Sequence, residues 1–315
     1  MSANLTNPIF TDETKAREHL EAIRWPEGPI CPHCGNSDPE RIAKIEGEKQ
    51  SHRPGLFYCN ECKGQFTVTV GTVFERSKIP LSKWWLAMHL MAASKKGMSA
   101  HQLHRMLGIS YKSTWFMMHR IREAMRDGNP SPMGGEGSSI QADETYYGNS
   151  SKRAKGYRKG HSHKASVVGL VEKPSGRARA FHVKTANAKT VRDVLVRNAH
   201  RSSELHTDES RLYTEVGKEF AAHKTVNHGW NQRGYYVGDE GQTTNAVENF
   251  FGTFKRGMKG TYHFCGEQHL QRYLDEFSFR YCNRSGLGVE DVARAELIAK
   301  GAEGKRLTYR RPHQN

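Results

Sequence analysis

TTNAVENFFGTFKRGMKGTYH, residues 243–263, is the stretch around which the chain is organised. As a helix, it places Asn245 one turn before Glu248 and Lys255 two turns after it, so all three side chains leave one face. The opposite flank carries the apolar side chains expected to be buried: Val247, Phe250, Phe251 and Phe254. An acid, an amide and a base on one helix face form either a solvated Glu–Lys surface or part of a catalytic site. The stretch alone leaves both interpretations open.

The composition indicates a folded protein that binds a polyanion. The chain has 315 residues, 36% of them hydrophobic, enough for a packed core and for two or three domains at roughly 100–200 residues each. A net charge of +15 and a pI near 9.6 favour nucleic acid as the partner, with an anionic membrane surface as the alternative. No apolar run approaches the ~18 residues of a membrane span, and the N-terminus lacks a signal-peptide pattern. We therefore expect a cytoplasmic, nucleoid-associated protein without a membrane partner.

Four of the six cysteines form two CxxC pairs, which predict one structural zinc ion. The pairs are Cys31 with Cys34 and Cys59 with Cys62, separated by 24 residues. Two residues between the cysteines of a pair let both thiolates bind one tetrahedral ion, and four thiolates fill its coordination shell. Such an ion stabilises the fold and does not activate water. The alternatives are redox-active pairs, reduced surface thiols, or His33 in place of one cysteine.

The sequence around these cysteines is typical of a zinc ribbon. Apolar residues at helical spacing predict a short amphipathic helix over 11–24, and β-strands are predicted at Tyr58 and over 66–70. Two further cysteines, Cys265 and Cys282, stand alone, and we expect inert buried thiols there.

The next part of the chain predicts a helix-turn-helix that binds DNA. Gly108 lies in a tight turn, and Lys112 and Ser113 lie at the start of the helix that follows it. Polar groups at this position meet the major groove in a recognition helix. A plain helical hairpin explains the same pattern. The expected helices cover 82–94, 100–107 (with Ser99 as N-cap) and 111–125.

The C-terminal part alternates strands and helices in the order of a ribonuclease H-like fold. Three strands, helix, strand, helix, strand and helix predict a mixed α/β sheet. The expected strands cover 139–147, 165–171, 179–184, 205–208 and 224–227. The expected helices cover 186–199, 210–219, 243–263 and 267–282.

Three acids occupy positions that meet in such a fold. Asp143 lies in the first strand, Asp208 ends the fourth, and Glu248 lies on the late helix. Clustered carboxylates repel one another unless cations lie between them, and hard oxygen ligands suit two Mg²⁺ or Mn²⁺ ions. Two such ions activate the attacking oxygen and stabilise the leaving oxygen of a phosphodiester. Each acid alone has a plainer interpretation as a cap or turn residue, and the neighbouring Glu144 and Glu209 compete for the inward-facing positions.

A basic loop is predicted between the first two of these strands, over 150–164. Next to an active site it would bind the phosphate backbone of DNA, whereas a solvated basic hairpin is the alternative. Its cations are Lys152, Arg153, Lys155, Arg158, Lys159 and Lys164.

The chain resembles the zinc-ribbon DDE transposases of bacterial insertion sequences, over residues 15 to 285 or so. This family has a zinc ribbon at the N-terminus and a ribonuclease H-like catalytic domain behind it. The matching motifs are the four paired cysteines, GTVFERSKIPL (71–81), ADETYYG (142–148), HTDE (206–209), VNH (226–228), the opening stretch, and HLQRYLDEFSFRYCNR (269–284).

The resemblance implies roles for individual residues. The family signature is Asp, Asp, Asn or Glu, Lys and His. It maps onto Asp143, Asp208, Asn245 or Glu248, Lys255 and His263. A carboxylate binds Mg²⁺ better than an amide, so Glu248 is the expected third ligand and Asn245 an auxiliary one. The two residues Lys255 and Arg256 would bind DNA phosphates, and His263 and His228 would orient DNA or a carboxylate or serve as structural histidines.

The resemblance also implies a reaction and partners. Two metal ions would activate water to nick a transposon end, and the 3′-hydroxyl would attack target DNA. The ribbon and helix-turn-helix would read the inverted repeats, with a homo-oligomer assembled on double-stranded DNA. The alternatives are a non-catalytic DNA-binding regulator and a metal-dependent nuclease without strand transfer.

The predicted domains follow from these motifs. They are an N-terminal helix and zinc ribbon (1–75), a helix-turn-helix region (76–130), a linker (131–137), the catalytic domain (138–290) and a basic tail (291–315).

Overall fold

The chain folds into two compact units in a computed structural model. One unit comprises residues 1–94, 98–126 and 289–315, and the other comprises 95–97 and 127–288. Within them the structure describes residues 5–46, 52–148, 164–226 and 241–308. Several predicted DNA-binding or orienting residues lie outside the described residues: Lys152, Arg153, Lys155, Arg158, Lys159 and His228.

The helices and strands follow in chain order. The helices are α1 (Glu13–Arg24), α2 (Leu81–Ala93), α3 (Ala100–Leu107), α4 (Tyr111–Met125), α5 (Ala188–Asn198), α6 (Thr214–Gly217), α7 (Asn245–Gly257), α8 (Leu270–Cys282) and α9 (Asp291–Lys300). The strands are β1 (Ile42–Lys44), β2 (Phe57–Cys59), β3 (Gln65–Phe66), β4 (Ser139–Tyr147), β5 (Ala165–Lys173), β6 (Ala178–Val183), β7 (Glu204–Asp208) and β8 (Ala222–Val226). None of the described helices is long and apolar enough to cross a bilayer.

Two predicted elements are shorter than expected because side chains hold the backbone in turns. The strand predicted over 66–70 ends at Phe66, after which the Thr67 and Thr69 hydroxyls share a hydrogen bond of 2.9 Å. The helix predicted over 210–219 is confined to α6, because the backbone N–H of Ser210 donates to the Asp208 carboxylate at 3.0 Å and forms a turn.

In the first unit, β1, β2 and β3 form an antiparallel sheet beside the paired cysteines. Trp25, Phe57 and Phe66 pack beneath it, with ring centroids 5.4 to 5.8 Å apart. These rings give the small ribbon an apolar centre that its short strands alone would not supply.

The start of α2 depends on a residue from α1. Pro80 precedes the helix and offers no side-chain cap. The Glu13 carboxylate instead accepts hydrogen bonds from the backbone N–H groups of Leu81 at 2.9 Å and Ser82 at 3.1 Å. A carboxylate at a helix N-terminus also interacts favourably with the helix dipole.

Helix α9 lies in the range that the sequence predicts as a basic tail. It packs against α2, and the buried Arg294 donates to the Ala92 carbonyl oxygen at 2.8 Å. The same guanidinium binds Asp291 at 2.7 Å. The carbonyl group of Ala92, near the end of α2, is therefore satisfied from a segment about 200 residues later in the chain.

In the second unit the described strands form one sheet in the order β6-β5-β4-β7-β8. β4, β5 and β6 run antiparallel, whereas β7 and β8 run parallel to β4. Three antiparallel strands followed by two strands parallel to β4 give the ribonuclease H-like mixed sheet that the sequence predicts. Apolar clusters cover both faces: α5 and α6 pack on one, and α7 and α8 on the other.

The predicted buried stripe of α7 is confirmed, and it packs directly on β5. Val247, Phe250, Phe251 and Phe254 are all buried. A Cβ atom built on Gly169 would lie 2.5 Å from Phe251 Cζ and 3.2 Å from Val247 Cγ2. The bare backbone of Gly169 therefore lets α7 approach the sheet.

We expect Gly169→Ala to destabilise the second unit, because the new methyl group displaces the Phe251 ring. Overpacking of this kind costs roughly 1–3 kcal/mol. Gly252→Ala is the matched control on α7, where the nearest atom to an added Cβ is Arg256 Nη2 at 3.7 Å. Because alanine favours a helix more than glycine does, this substitution should stabilise the protein by up to about 1 kcal/mol. Chemical denaturation of both variants measures this difference, and equal effects of the same sign would contradict the close packing.

Candidate active site

The side-chain alternation of β4 assigns Asp143 to the face covered by α7. Ile140 and Ala142 are buried in the cluster with α5, so the odd-numbered residues of β4 point to the other face. Asp143 also pairs in register with Gly169, whose open side faces α7. The first predicted acid therefore lies on the α7 side of the sheet.

The register of β7 resolves which acid of the HTDE motif shares that face. Leu205 pairs with Ile140 and packs in the α5 cluster, so Glu204, His206 and Asp208 point towards α7. Asp208 lies at the carboxyl end of β7, on the strand next to Asp143. The sequence left Asp208 and Glu209 as alternatives, and the strand alternation selects Asp208.

Glu144, the other acid beside Asp143, lies on the opposite face. Its carboxylate accepts a hydrogen bond of 2.7 Å from the hydroxyl of the fully buried Tyr213. Burial raises the pKa of Glu144, the hydrogen bond from Tyr213 lowers it, and the charge of Asp208 raises it again. Tyr213 is a residue that sequence reasoning missed, because no local pattern connects it to the acids.

Glu248 lies in the first turn of α7 and is half-buried. Its carboxylate accepts a hydrogen bond of 2.6 Å from the Thr244 hydroxyl, which fixes the side chain at the helix start. Asn245, the first residue of α7, is exposed. The two candidates for the third catalytic position thus both lie in the first turn of α7.

The electrostatics of Asp143 link the three acids. Its pKa is raised to about 7, chiefly by burial and then by the charges of Glu144, Asp208 and Glu248, against a hydrogen bond from the Glu144 backbone N–H that lowers it. An aspartate that neighbouring carboxylates hold partly protonated near neutral pH marks a place where negative charge is concentrated. A cation placed there would remove this repulsion.

The four paired cysteines form a compact cluster of sulfur atoms. Cys31 Sγ lies 3.6 Å from Cys62 Sγ, and Cys34 Sγ lies 3.7 Å from Cys59 Sγ. A tetrahedral zinc with Zn–S bonds of about 2.3 Å separates its sulfurs by about 3.8 Å. Among the described residues, these cysteines are the one group of potential ligands whose donor atoms all lie within 4.8 Å of one another. The geometry suits a structural zinc ion.

The backbone favours the ionised form of one of these thiols. The N–H of Cys62 is the largest influence, and with the N–H of Glu61 it lowers the pKa of Cys59 to about 6 against the effect of burial. The amide of Asn36 also donates to Cys59 Sγ at 3.8 Å. A thiolate near neutral pH is the form that binds a metal ion.

The predicted phosphate-binding residues lie at the C-terminal end of α7. Lys255 and Arg256 are both exposed in its last turn. After this helix, His263 adopts φ +59° and ψ −49°, and the N–H of Phe264 donates to the Tyr262 carbonyl oxygen at 2.6 Å. This is a classic γ-turn, a rare and strained conformation. It displays His263 and Phe264 on the surface, with Phe264 80% exposed.

The start of α4 has the predicted polar character. Lys112 and Ser113 are exposed, and the Ser110 hydroxyl caps the helix by accepting from the N–H of Ser113 at 3.2 Å. Beside them, the ring of His101, which sequence reasoning did not single out, stacks on the ring of Tyr111 with the centroids 4.3 Å apart. Gly108 adopts the left-handed conformation in the turn between α3 and α4.

Two domain families match this chain. The ISXO2-like transposase domain matches residues 134–282, which include all three acids, and the transposase zinc-ribbon domain matches residues 11–65, which include all four clustered cysteines. A curated relative, the uncharacterized protein in transposable element ISH50 of Halobacterium salinarum, is 25% identical over 285 residues. That alignment covers 86% of this chain and 91% of the relative.

Solved structures with some likeness are remote. The simian T-cell lymphotropic virus intasome is 16% identical over 56% of this chain and 63% of its own, with a TM-score of 0.29. The HTLV-2 integrase catalytic core in complex with magnesium is 10% identical over 46% of this chain and 86% of its own, with a TM-score of 0.28. The Mos1 transposase paired-end complex is 10% identical over 69% of this chain and 78% of its own, with a TM-score of 0.25.

The two domain matches together span about two-thirds of the chain and agree with its cysteine cluster and its sheet topology. The chain belongs to the IS1595 (ISXO2-like) family of zinc-ribbon DDE transposases.

Proposed function

We propose that this chain cleaves the ends of an insertion sequence and joins them to target DNA, with two divalent cations held by Asp143, Asp208 and Glu248. The observation that carries the proposal is the position of Asp143 and Asp208 on adjacent strands of one sheet face, within electrostatic reach of Glu248. Carboxylate oxygens suit Mg²⁺ or Mn²⁺, and the pKa of Asp143 is raised by burial and by a repulsion among the acids that such ions relieve.

Bound at these acids, two divalent cations would supply Lewis-acid activation of water and stabilisation of the leaving oxygen. The chain's own residues then have distinct tasks. Asp143 and Asp208 project from the rigid sheet, and Glu248 is held by Thr244 at the helix start. Asn245 lies one turn earlier as an auxiliary oxygen donor. Rigid placement of this kind keeps reacting groups aligned.

The two steps share this site. In the first, a water oxygen attacks the phosphorus at the transposon end, and the bond to the 3′-oxygen breaks to leave a 3′-hydroxyl. In the second, that hydroxyl oxygen attacks a target phosphodiester and displaces the 3′-oxygen of the target strand. Lys255 and Arg256, exposed at the far end of α7, would bind the DNA backbone, and His263 would orient DNA beside them.

The DNA partner is expected at several further surfaces. Lys112 and Ser113 at the start of α4 would meet the major groove of the inverted repeats, with the zinc ribbon as a second contact. The predicted cations of residues 150–164 would add backbone contacts. Joining two ends requires more than one chain, so we expect a homo-oligomer on DNA.

A strand-transfer assay tests the proposal against a regulator or a simple nuclease. The substrate is a supercoiled plasmid carrying the inverted repeats that flank the gene, with Mg²⁺ present. Wild type should cut and join the ends. Asp143→Asn should lower cleavage by about 10²–10³-fold or more, because several kcal/mol of metal-derived stabilisation are lost at a factor of ten per ~1.4 kcal/mol.

Glu144→Gln is the matched control, because the adjacent side chain faces Tyr213 and its amide oxygen still accepts that hydrogen bond. It should retain cleavage. Binding of the ends without cutting by wild type would support the regulator, and cutting without joining would support the nuclease.

We expect Asp143→Asn to stabilise the protein in Mg²⁺-free buffer, increasingly so as the pH rises. The folded pKa of about 7 exceeds the ordinary value of 3.8, so wild type is relatively most stable below pH 4 and loses stability until about pH 7. The gain of the asparagine variant should reach roughly 2–4 kcal/mol above pH 7. Denaturation at pH 5, 6, 7 and 8 measures it, and a gain independent of pH would contradict the raised pKa of Asp143. Added Mg²⁺ should shrink the gain.

Removal of one clustered thiolate should release the zinc. We expect Cys59→Ser to lower bound zinc from about one ion per chain to well below one, because a structural site needs all four ligands. Metal analysis of purified protein measures the content. Cys265→Ser is the control, since this buried cysteine lies outside the cluster and should leave zinc unchanged. Full zinc in Cys59→Ser would contradict the four-cysteine site.

A further inference from the structure

We propose that Gln141 is a positioning residue that fixes the helix carrying Glu248 relative to Asp143. This inference rests on the proposed function of the three acids and assigns a task to a side chain that does not itself bind a cation. Gln141 is fully buried on β4 and lies on the α7 face, two residues before Asp143.

The amide oxygen of Gln141, on strand β4, caps the start of α7. It accepts hydrogen bonds from the backbone N–H of Ala246 at 2.8 Å and of Val247 at 3.4 Å. The local N-cap residue, Thr244, makes no side-chain capping hydrogen bond. The N–H groups at a helix start have no partner within the helix, so a cap from another element ties the helix to that element.

The other amides of the first turn are satisfied locally. Thr243 Oγ1 accepts from the N–H of Asn245 at 3.1 Å, and the Thr244 carbonyl oxygen accepts from the N–H of Glu248 at 3.1 Å. Gln141 therefore supplies the long-range part of the capping. Through this bond, the backbone N–H of Val247, the residue just before Glu248, contacts the strand that carries Asp143.

Gln141 belongs to a row of two buried polar side chains, one on β4 and one on β7. Its register partner on β7 is His206, which contacts Glu204 at 3.2 Å, and Lys224 contacts the same carboxylate at 3.3 Å. The row lies one side-chain repeat below Asp143 and Asp208, which is about 7 Å along the strands. Asp143 and Asp208 therefore each follow a buried polar residue on the same strand and the same face.

The chemical type of the capping residue fits this position. Aspartate is a common helix cap, but a carboxylate here would add negative charge next to the acids. Burial and the charges of its acidic neighbours already raise the pKa of Asp143. An amide offers the same acceptor oxygen without the charge. Gln141 therefore caps α7 without adding a negative charge to those of the acids that would hold cations.

Gln141→Leu tests the inference, because leucine has a similar size and no acceptor. The matched control is Asn187→Ala on α5, where the Asn187 side chain accepts from the N–H of Thr190 at 2.9 Å in the same unit. Both variants lose one helix cap, but only Gln141 caps the helix that carries Glu248. We measure the Mg²⁺ concentration for half-maximal end cleavage, melting temperature, and amide hydrogen exchange across α5 and α7.

Gln141→Leu should raise the half-maximal Mg²⁺ concentration about 10- to 100-fold, the usual effect of removing a residue that orients metal ligands. It should also speed exchange at the start of α7. Asn187→Ala should speed exchange at the start of α5 and leave the Mg²⁺ requirement unchanged. Gln141→Glu keeps an acceptor and should restore slow exchange in α7. An unchanged Mg²⁺ requirement in Gln141→Leu would overturn the inference.

Two further results keep the test decisive. If Gln141→Leu does not fold, Gln141→Asn withdraws the amide from α7 by one methylene and should give the same shift in Mg²⁺ requirement. If wild type and Asn187→Ala both fail to cleave, the proposed function fails. Hydrogen exchange then still tests the cap, which is overturned if α7 exchanges equally in wild type and Gln141→Leu.

Discussion

The contact between α7 and the sheet is the constraint on which the candidate site depends. Gly169 has no side chain, so Phe251 and Val247 lie against the backbone of β5. Because Gly169 pairs with Asp143, the helix crosses the sheet next to the first acid. The buried aromatic stripe and the placement of Glu248 are therefore consequences of one close approach. A larger residue at Gly169 would move the acid and the core together.

The second constraint is the repulsion among the acids, which the fold limits without removing. Glu144 is turned to the opposite face, where the Tyr213 hydroxyl binds it. Gln141 caps α7 with a neutral group. The residual repulsion is concentrated on Asp143, whose pKa rises to about 7. A site arranged in this way would bind the proposed divalent cations more strongly than it would if each carboxylate were separately paired with a lysine or arginine.

Periodicity predicted the elements because burial follows local sequence, whereas caps and register come from distant residues. The stripe from Val247 to Phe254 is visible as a helical repeat, and β4 is visible as a strand. The starts of α2 and α7 are capped by Glu13 and Gln141 from other elements, so no local motif announces them. The choice of Asp208 over Glu209 as the inward-facing acid required the pairing of β7 with β4. Helix α9 was not predicted, because its sequence has no strong apolar stripe. The assignment of roles to the acids came from the family resemblance and stays a prediction.

A helix capped from a remote strand cannot acquire its final start until that strand is in place. The first turn of α7 contains Asn245 and Glu248, so their geometry is completed by tertiary packing and not by the helix itself. The same packing desolvates Asp143 and strengthens its interaction with the other acids. In the proposed reaction, the DNA phosphate would add a further negative charge to this place, while the overall charge of +15 would attract the rest of the polyanion. Cations and the scissile phosphate should therefore favour one another's binding. The cations would remove the repulsion between the acids and the phosphate, and the phosphate would balance the positive charge of two cations held close together.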